Sequence, residues 1–356
     1  MTQIATPEEQ TKIMQQPDPS KIMQIGMGFW PSKVLLSAVK FKLFTVLSAQ
    51  SLTAGQIKEN LQLKTTDRHV YDWLDTLVSL GFLQRDGLLE TALYCNAPDT
   101  DLFLDKNKPS YIGGILEMSN SRLYPFWANL DDGLLTGQRQ NESRSGSNMD
   151  FFSELYKSPE KLQEFVDAMS GIQMSNFVSL AHQFDFNNYK SLTDVGGADG
   201  FLSIQIALNH PDIHCTTFDL PPVEPVAKSR IAHFNLSHRI DVASGDFLKD
   251  ALPAAEVITM GNILHGMDEN TKQEVVNKVY DILPEGGVFI AIENIIDNDR
   301  RKNTFGMLMS LNMLIENGEA FDYTFDDFGR WVKKAGFKKT SSLTLAGPAS
   351  AAIAYK

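Results

Sequence analysis

The sequence predicts an α/β fold in which a doubly wound, mostly parallel sheet follows a smaller helical domain. From residue 191 to residue 356, short apolar runs alternate with helical patterns, as in consecutive βαβ units. Residues 20–110 instead give helices and one hairpin, and residues 111–190 give further helices. We therefore expect two domains, at 1–110 and 111–356, with the segment 111–190 forming part of a pocket.

In the N-terminal domain, helix caps delimit two helices ahead of a hairpin. Thr53 is expected to cap one helix, and Thr66 a second helix that ends at Gly81. A turn at residues 85–89 then predicts a two-stranded wing. This order of elements is typical of a winged helix.

Charge argues against nucleic acid as the partner of this domain. Residues 1–110 contain 11 Lys and Arg against 12 Asp and Glu, and the whole chain carries a net charge of −12. We expect neither nucleic acid nor an anionic membrane as a partner. Apolar residues predict either a homodimer contact or an ordinary core helix. They are Phe29, Trp30, Val34, Leu35, Leu36 and Val39.

Cysteine content and hydropathy favour a cytoplasmic protein. The two cysteines, Cys95 and Cys215, lie far apart and give neither a disulfide framework nor a metal-ligand spacing. The polar segment 1–19 is expected to be a lead rather than a signal peptide. No apolar run reaches the roughly 20 residues that a membrane helix needs.

The segment 191–200 has the strand–turn–helix order of a nucleotide site. Its motif residues are Asp194, Gly196, Gly197 and Gly200. Glycines let the backbone approach a ligand, and the N-terminus of the following helix offers free N–H groups. Val195 stands where the dinucleotide motif Gly-x-Gly-x-x-Gly has its first glycine, so this spacing indicates a different nucleotide.

Polar or ligand-facing residues follow each later strand of the predicted sheet. These are Asp219 and Leu220 after the second strand, Asp246 and Phe247 after the third, Gly261 and His265 after the fourth, and Glu293 after the fifth. Open α/β sheets bind ligands at this carboxyl edge. Asp219 is suited to accept hydrogen bonds from a ribose diol, and Asp246 with Phe247 is suited to an adenine.

Taken together, these motifs resemble a known family. The segment 194–200 resembles the first motif of S-adenosylmethionine (AdoMet) methyltransferases, with Ala198 in place of the middle glycine. Further strings are similar to plant caffeate-type and animal acetylserotonin-type O-methyltransferases, and above all to their bacterial relatives. These strings are Asp219-Leu-Pro, Gly245-Asp-Phe, Ile263-Leu-His265, Leu283–Gly287 and Ala335-Gly-Phe337. The resemblance implies AdoMet as cofactor, a small-molecule acceptor, and a Rossmann-like AdoMet domain behind a winged-helix dimerisation domain.

His265 is the candidate general base. A histidine with a pKa near 6.5 can take a hydroxyl proton at neutral pH, and this one follows a strand at the ligand edge. The family's histidine lies in a His-Asp-Trp string, which here is His265-Gly266-Met267. The alternative is that His265 caps the helix that begins near Asp268.

Two carboxylates are candidates to orient the base. Glu293 ends the strand beside the one that delivers His265. Alignment to the family's Glu-Arg-Thr string implies that Asp322 occupies the position of the second catalytic glutamate. We expect one carboxylate to hold the other imidazole nitrogen and the second to flank the opposite side. Asp322 alternatively caps the helix 324–335.

Four residues are candidates for acceptor binding. The same alignment implies that Met313 packs on the acceptor, unless it fills the core, and that Asn317 hydrogen-bonds it. Trp127 and Arg122 belong to the segment 116–127, an aromatic pocket wall with one arginine. Arg122 is expected either to clamp a substrate carboxylate or to form a surface salt bridge.

O-methylation of a hydroxyl, with His265 as base, is the leading hypothesis. S-methylation of a thioether acid is an alternative, because a thioether has no proton to lose and Arg122 suits an acid. The methyltransferases of dimethylsulfoniopropionate synthesis look like this same family. N- or C-methylation also stays open. Departures from the family motifs at Ala198, Gly266 and Met267 leave a further alternative, a non-catalytic AdoMet-binding regulatory dimer.

Overall fold

The computed structural model describes residues 17–108, 110–145 and 155–356. The chain divides into two compact units, Met1–Tyr111 and Ile112–Lys356. Most of the polar lead expected at residues 1–19 lies outside the described residues. Within them, none of the helices combines the length and the apolar character that crossing a membrane would require.

The first unit has the helix and hairpin order that the sequence predicts. Its elements are α1 (Ser20–Gly26), α2 (Phe29–Lys40), α3 (Leu43–Leu47), β1 (Leu52–Thr53), α4 (Ala54–Asn60), α5 (Asp67–Ser79), β2 (Leu83–Asp86), β3 (Leu93–Asn96) and α6 (Pro98–Leu104). The side chains of Thr53 and Thr66 cap α4 and α5. Gly81, just past α5, has a φ of +83°. The three strands are antiparallel in the order β1-β3-β2, so the hairpin forms the wing.

The apolar residues of α2 divide into two groups. Leu36 and Val39 are buried in the core of their own unit. Phe29 and Trp30 stay 52% and 61% exposed, with their rings edge to face at 6.0 Å between centroids. The core-helix interpretation therefore holds for the second half of α2, and an uncovered apolar face remains on the first half.

The second unit combines an initial helical segment with a seven-stranded sheet. Its helices are α7 (Gly113–Met118), a π-helical turn (Ser119–Leu123), α8 (Tyr124–Trp127), α9 (Leu130–Thr136), α10 (Pro159–Gln183), α11 (Phe201–Asn209), α12 (Glu224–His233), α13 (Glu269–Ile282), α14 (Thr304–Asn317) and α15 (Phe325–Ala335). Its strands are β4 (Ser191–Val195), β5 (His214–Asp219), β6 (Ile240–Ser244), β7 (Val257–Gly261), β8 (Val288–Glu293), β9 (Lys339–Thr344) and β10 (Ser350–Tyr355).

The strand order β6-β5-β4-β7-β8-β10-β9 confirms the doubly wound sheet. The first five strands are parallel, and β10 runs antiparallel between β8 and β9 as the closing hairpin. The order reverses at β4, whose neighbours are β5 and β7. Ligands bind at such a switch point, so the glycine turn after β4 lies where a site is expected.

Two apolar clusters cover the two faces of this sheet. One contains Ile290 of β8 with Leu180 of α10. The other contains Phe289 of β8 with Val276 of α13 and Phe328 of α15. Neighbouring residues of one strand thus enter opposite cores, which is why the parallel strands are apolar throughout instead of alternating. Because the strands β4 to β8 are parallel, their carboxyl ends lie at one common edge of the packed sheet.

Candidate active site

The turn after β4 can be built only with small residues. Gly196 has a φ of +72°, and a Cβ there would lie 2.3 Å from the Ile263 side chain. A Cβ on Gly197 would lie 2.2 Å from the Thr217 hydroxyl oxygen. Gly200, with a φ of +76°, is the N-cap of α11. These close approaches keep the turn flat against the sheet and leave its outer side to a ligand.

Ala198 and Asp219 join the turn to the end of β5. Ala198 adopts a φ of +48°, a conformation that glycine takes more easily, and its N–H donates to Asp219 at 2.8 Å. The Leu220 N–H donates to the other oxygen of Asp219 at 2.7 Å. Burial raises the pKa of the Asp219 carboxyl. A shallow recess lies here, with Ala198, Asp219 and Val242 in its lining.

The remaining residues expected near the nucleotide lie at the same edge but outside that lining. Asp246 accepts from the Lys249 ammonium at 2.7 Å, which lowers the pKa of its carboxyl. Phe247 packs, partly buried, against the core that contains Val276. Gly261 ends β7, where a Cβ would come within 3.3 Å of the Phe177 ring.

Asp194 supports the glycine turn from the end of β4. It is buried, and its carboxylate accepts from the Thr259 hydroxyl at 2.8 Å. Burial raises the pKa of this carboxyl to about 7. Asp194 therefore ties β4 to β7 directly under the glycines.

Three titratable side chains meet at the ends of β7 and β8. Nδ1 of His265 lies 3.5 Å from Asp322 and 3.8 Å from Glu293. The second oxygen of Glu293 accepts from the main-chain N–H groups of Ile263 at 3.2 Å and of His265 at 3.4 Å. Glu293 thus fixes the turn that carries the histidine as well as facing its ring.

Both carboxylates face the same imidazole nitrogen. The expectation that Asp322 and Glu293 would flank His265 from opposite sides is therefore wrong. The segment that carries Asp322 is joined to the end of β8 by the Ile296–Tyr323 main-chain hydrogen bond of 2.9 Å, which brings both carboxylates to one side. Neither of the two contacts with Nδ1 has hydrogen-bond geometry, and Nδ1 has no hydrogen-bond partner among the described residues. A neutral ring protonated at Nδ1 would present the Nε2 lone pair away from the carboxylates.

Burial and the neighbouring charges shift the pKa values of this cluster in opposite directions. Burial lowers the pKa of His265, but Glu293 and Asp322 outweigh it and raise that pKa to about 9. Burial raises the pKa of Glu293 to about 7, although His265 acts against it. The His265 side chain is 12% exposed and the two carboxyl groups 1%. Perturbations of this size are typical of functional groups.

Other residues fill the helix-capping roles considered for His265 and Asp322. Asp268 is the N-cap of α13 and accepts from the N–H groups of Asn270 and Thr271. Thr324 is the N-cap of α15, in a capping box with Asp327. Neither His265 nor Asp322 is therefore needed as a cap.

The predicted acceptor residues lie along α14 and its neighbours. The Asn317 amide is 3.5 Å from the Gly266 carbonyl, next to His265. Met313 is buried, and the Trp127 indole donates to Asn312 at 2.9 Å on the same helix. The helix thus connects the pocket-wall segment with the His265 turn.

Arg122 is engaged by carboxylates of the protein itself. Its guanidinium donates to both oxygens of Glu142, at 2.6 and 2.9 Å, and to Glu316 at 3.0 Å. Its side chain is 13% exposed. The structure therefore shows an ion pair, which is more buried than the surface salt bridge that was expected.

Comparison with known proteins matches both units to one family. The O-methyltransferase domain family matches residues 127–338, and the O-methyltransferase dimerisation domain family matches residues 23–106. The chain belongs to the O-methyltransferase family.

Individual relatives match almost the whole chain. The tetracenomycin polyketide synthesis 8-O-methyl transferase TcmO of Streptomyces glaucescens is 35% identical over 338 residues, 95% of this chain and 97% of the relative. The N,N-dimethyltransferase OxyT of Streptomyces rimosus is 27% identical, covering 89% and 90%. The structure of human N-acetylserotonin methyltransferase in complex with SAM superposes with a TM-score of 0.86 at 25% identity, covering 96% and 99%.

This O-methyltransferase is thus an AdoMet-dependent enzyme, as the first motif predicts. The alternative of a non-catalytic regulatory dimer is set aside, because the relatives that match along the whole chain are methyltransferases. Ala198, Gly266 and Met267 are departures from the family motifs in a chain that belongs to the family. Met267, which stands where the family's string has tryptophan, packs in the apolar core.

The His265 cluster also has the spacing of a metal site. One ligand atom from each of His265, Glu293 and Asp322 lies within 4.8 Å of the others. Histidine and carboxylate groups suit a transition metal ion. The metal-free mechanism stays a prediction that a chelator can test.

Sequence reasoning missed two buried charged residues beside the site. Asp199 accepts from the Ser170 hydroxyl at 2.8 Å and lies 3.2 Å from Arg230, so it anchors the glycine turn to α10 and α12. Lys272 lies on the apolar stripe of α13. The sequence contains a sign that Lys272 is buried. Val275, Val276 and Val279 follow it by three, four and seven residues, so Lys272 lies on the same apolar face of the helix.

Proposed function

We propose that this enzyme methylates a hydroxyl group of a small aromatic acceptor, with His265 as the general base. The main support is the position of the His265 imidazole, whose Nδ1 lies 3.5 Å from the buried carboxylate of Asp322 and 3.8 Å from that of Glu293. A proton-accepting nitrogen held in this way is useful to a hydroxyl nucleophile, whereas a thioether has no proton to give up.

AdoMet is held, in this proposal, by the turn Gly196–Gly200 and the residues around it. Asp219 hydrogen-bonds the ribose, Leu220 lies beside it, and Asp246 with Phe247 borders the adenine. Asp194 and Gly261 shape the floor. The close approaches of the turn and the recess lined by Ala198 and Asp219 support this assignment. When bound, AdoMet supplies an electrophilic methyl group on a sulfonium sulfur.

The protein's own residues align the acceptor and manage its proton. Met313 and Trp127 bound the acceptor, and Asn317 hydrogen-bonds it beside the His265 turn. Bound AdoMet would supply the methyl group to the acceptor oxygen, and Nε2 of His265 would take the proton that the hydroxyl loses. Asp322 and Glu293 stabilise the resulting imidazolium, which afterwards releases its proton to water. The products are a methyl ether and S-adenosylhomocysteine.

The site and the relatives support this acceptor class. The relative TcmO acts in tetracenomycin polyketide synthesis as an 8-O-methyl transferase. Support for a thioether acid is weaker, because Arg122 already pairs with Glu142 and Glu316. The N,N-dimethyltransferase relative makes an amine acceptor the second outcome to test.

Methyl-labelled AdoMet tests the acceptor class directly. The purified enzyme is incubated with three separate pools: phenols with hydroxyindoles, aromatic amines, and methylthio acids, each with and without EDTA. We expect label in the first pool, unaffected by EDTA. Label in either of the other pools alone would refute O-methylation, and loss of label with EDTA would refute the metal-free mechanism.

We further propose that the unit around residues 1–110 makes a homodimer and that residues 111–356 carry out catalysis. The match to a dimerisation domain and the exposed Phe29 and Trp30 support this. Sedimentation velocity at micromolar concentration should give a dimer. A monomer would contradict the proposal.

A further inference from the structure

Four buried polar atoms around His265 have no hydrogen-bond partner among the described residues. They are Nδ1 of His265, Oε2 of Glu293 and both carboxylate oxygens of Asp322. The side chains of the two acidic residues are only 1% exposed. Buried charged groups in proteins are normally paired with an opposite charge, hydrogen-bonded or bound to a metal. A group of unsatisfied atoms of this kind indicates a ligand.

The buried polar groups beside the cluster do not supply the missing hydrogen bonds. The ammonium group of Lys272 donates to the main-chain carbonyl of Met267 and lies 3.3 Å above the centre of the Phe321 ring. The phenol oxygen of Tyr323 has no hydrogen-bond partner itself in the described part of the chain. The two carboxylates therefore keep oxygen lone pairs with which to bind another group.

The unsatisfied atoms lie close enough together to share one metal ion. Nδ1 of His265 is 3.5 Å from Asp322 and 3.8 Å from Glu293, and one ligand atom of each residue lies within 4.8 Å of the others. Ligands bound to a zinc ion at about 2.0–2.2 Å lie roughly 3–4 Å from one another. A small inward movement of the side chains would therefore complete the coordination.

One imidazole and two carboxylates form a suitable donor set for a divalent transition metal ion. The two negative charges of the carboxylates match the charge of such an ion. The second oxygen of Asp322 or a water molecule can fill a fourth position. The other oxygen of Glu293 accepts from the main-chain N–H groups of Ile263 and His265, and this contact orients the carboxylate toward the cluster.

Metal binding at Nδ1 excludes the role of His265 as a base. A neutral imidazole that coordinates a metal through Nδ1 carries its proton on Nε2. Nε2 is then a hydrogen-bond donor and has no lone pair with which to take the proton of an acceptor hydroxyl. The metal-bound protein thus contains the inactive tautomer.

We propose that His265, Glu293 and Asp322 form an inhibitory site for a divalent transition metal ion of the zinc type. In this proposal the ion is not a cofactor, and it competes with the proton transfer of the metal-free enzyme. Binding of the ion follows from the unsatisfied atoms and their spacing, whereas inhibition rests on the proposed function of His265 as base. The two parts are therefore tested separately.

Binding is measured without turnover. Co²⁺ is added to the metal-free enzyme, its visible absorption is recorded, and Zn²⁺ is then added in competition. We expect one Co²⁺ per chain, displaced by Zn²⁺. Asp322→Asn and Glu293→Gln keep the size of each side chain and should each weaken Co²⁺ binding at least about tenfold. The matched control is His214→Ala, which removes an exposed histidine 2.8 Å from Asp241 and should bind Co²⁺ as the parent does.

A parent protein without a stoichiometric Co²⁺ signal would overturn the site, as would unchanged binding in folded Asp322→Asn and Glu293→Gln. Should these two variants not fold, the NMR spectrum of ring-labelled histidines in the parent decides. The His265 signal, identified by its absence in His265→Ala, must then shift on addition of one equivalent of Zn²⁺. A shift confined to other histidines would overturn the site.

Inhibition is measured with methyl-labelled AdoMet and the productive acceptor. One bound Zn²⁺ per chain should lower the rate of methyl transfer at least about tenfold, and EDTA should restore it. A rate that stays unchanged or rises with bound Zn²⁺ would overturn the inhibitory role. Should His265→Ala transfer the methyl group as fast as the parent, the base assignment would fail, while the Co²⁺ measurement would still decide whether the metal site exists.

Discussion

Replacing Asp322 by asparagine should move the acidic limb of the pH–rate profile to lower pH. The active form of the base is the neutral imidazole, so kcat/KM rises with pH through the pKa of His265. That pKa is raised from 6.5 to about 9 by Glu293 and Asp322 together, against burial. Asn keeps the size of the side chain and removes one of the two charges that favour the imidazolium.

The expected displacement is on the order of one pH unit, since two carboxylates share the upward shift. At pH 7 a base of pKa 9 is about 1% neutral and one of pKa 8 about 10%, so the rate at pH 7 relative to the plateau rises roughly tenfold. The plateau itself falls, because Nδ1 loses an orienting partner. The measurement is kcat/KM from pH 6 to 10 for the parent, for Asp322→Asn and for a control variant, Asp326→Asn, at an exposed site. A limb that stays in place or moves to higher pH would refute the reasoning.

Three further changes test other parts of the structure. Gly197→Ala brings a Cβ to 2.2 Å from the Thr217 hydroxyl oxygen. We therefore expect thermal unfolding to show that the free energy of unfolding falls by about 2–4 kcal/mol, and calorimetry to show weaker AdoMet binding. Gly329→Ala, with open space around it, should change stability by less than about 1 kcal/mol; equal effects of the two changes would contradict the tight turn. Arg122→Ala removes the cation from two carboxylates and should cost about 1–3 kcal/mol in urea unfolding, and unchanged stability would contradict this role. Trp30→Glu should convert the dimer to a monomer in sedimentation velocity, and a persisting dimer would place the contact elsewhere.

The sheet and the capped helices could be predicted because their signals are local. Thr53 and Thr66 cap helices by contacts within three residues, and the apolar strands carry their own pattern. The doubly wound parallel sheet followed from the alternation of strands and helices, together with the family resemblance; the order of the strands came from the structure.

Features that depend on long-range contact were less accessible. Two carboxylates on one nitrogen of His265 result from the approach of residue 322 to residue 293, which no local spacing indicates. Arg122 pairs with Glu316, 194 residues away, so its substrate role seemed open from the sequence. Buried Lys272 broke the rule that lysines face water, and only its helical position hinted at this.

The most direct test of the account is the rate of methyl transfer by His265→Ala. With a phenolic acceptor from the productive pool and labelled AdoMet in single turnover, we expect a loss of at least about 100-fold. The AdoMet dissociation constant should stay within about twofold, and the exposed His238→Ala should behave as the parent. A His265→Ala variant that transfers the methyl group as fast as the parent would contradict His265 as the base.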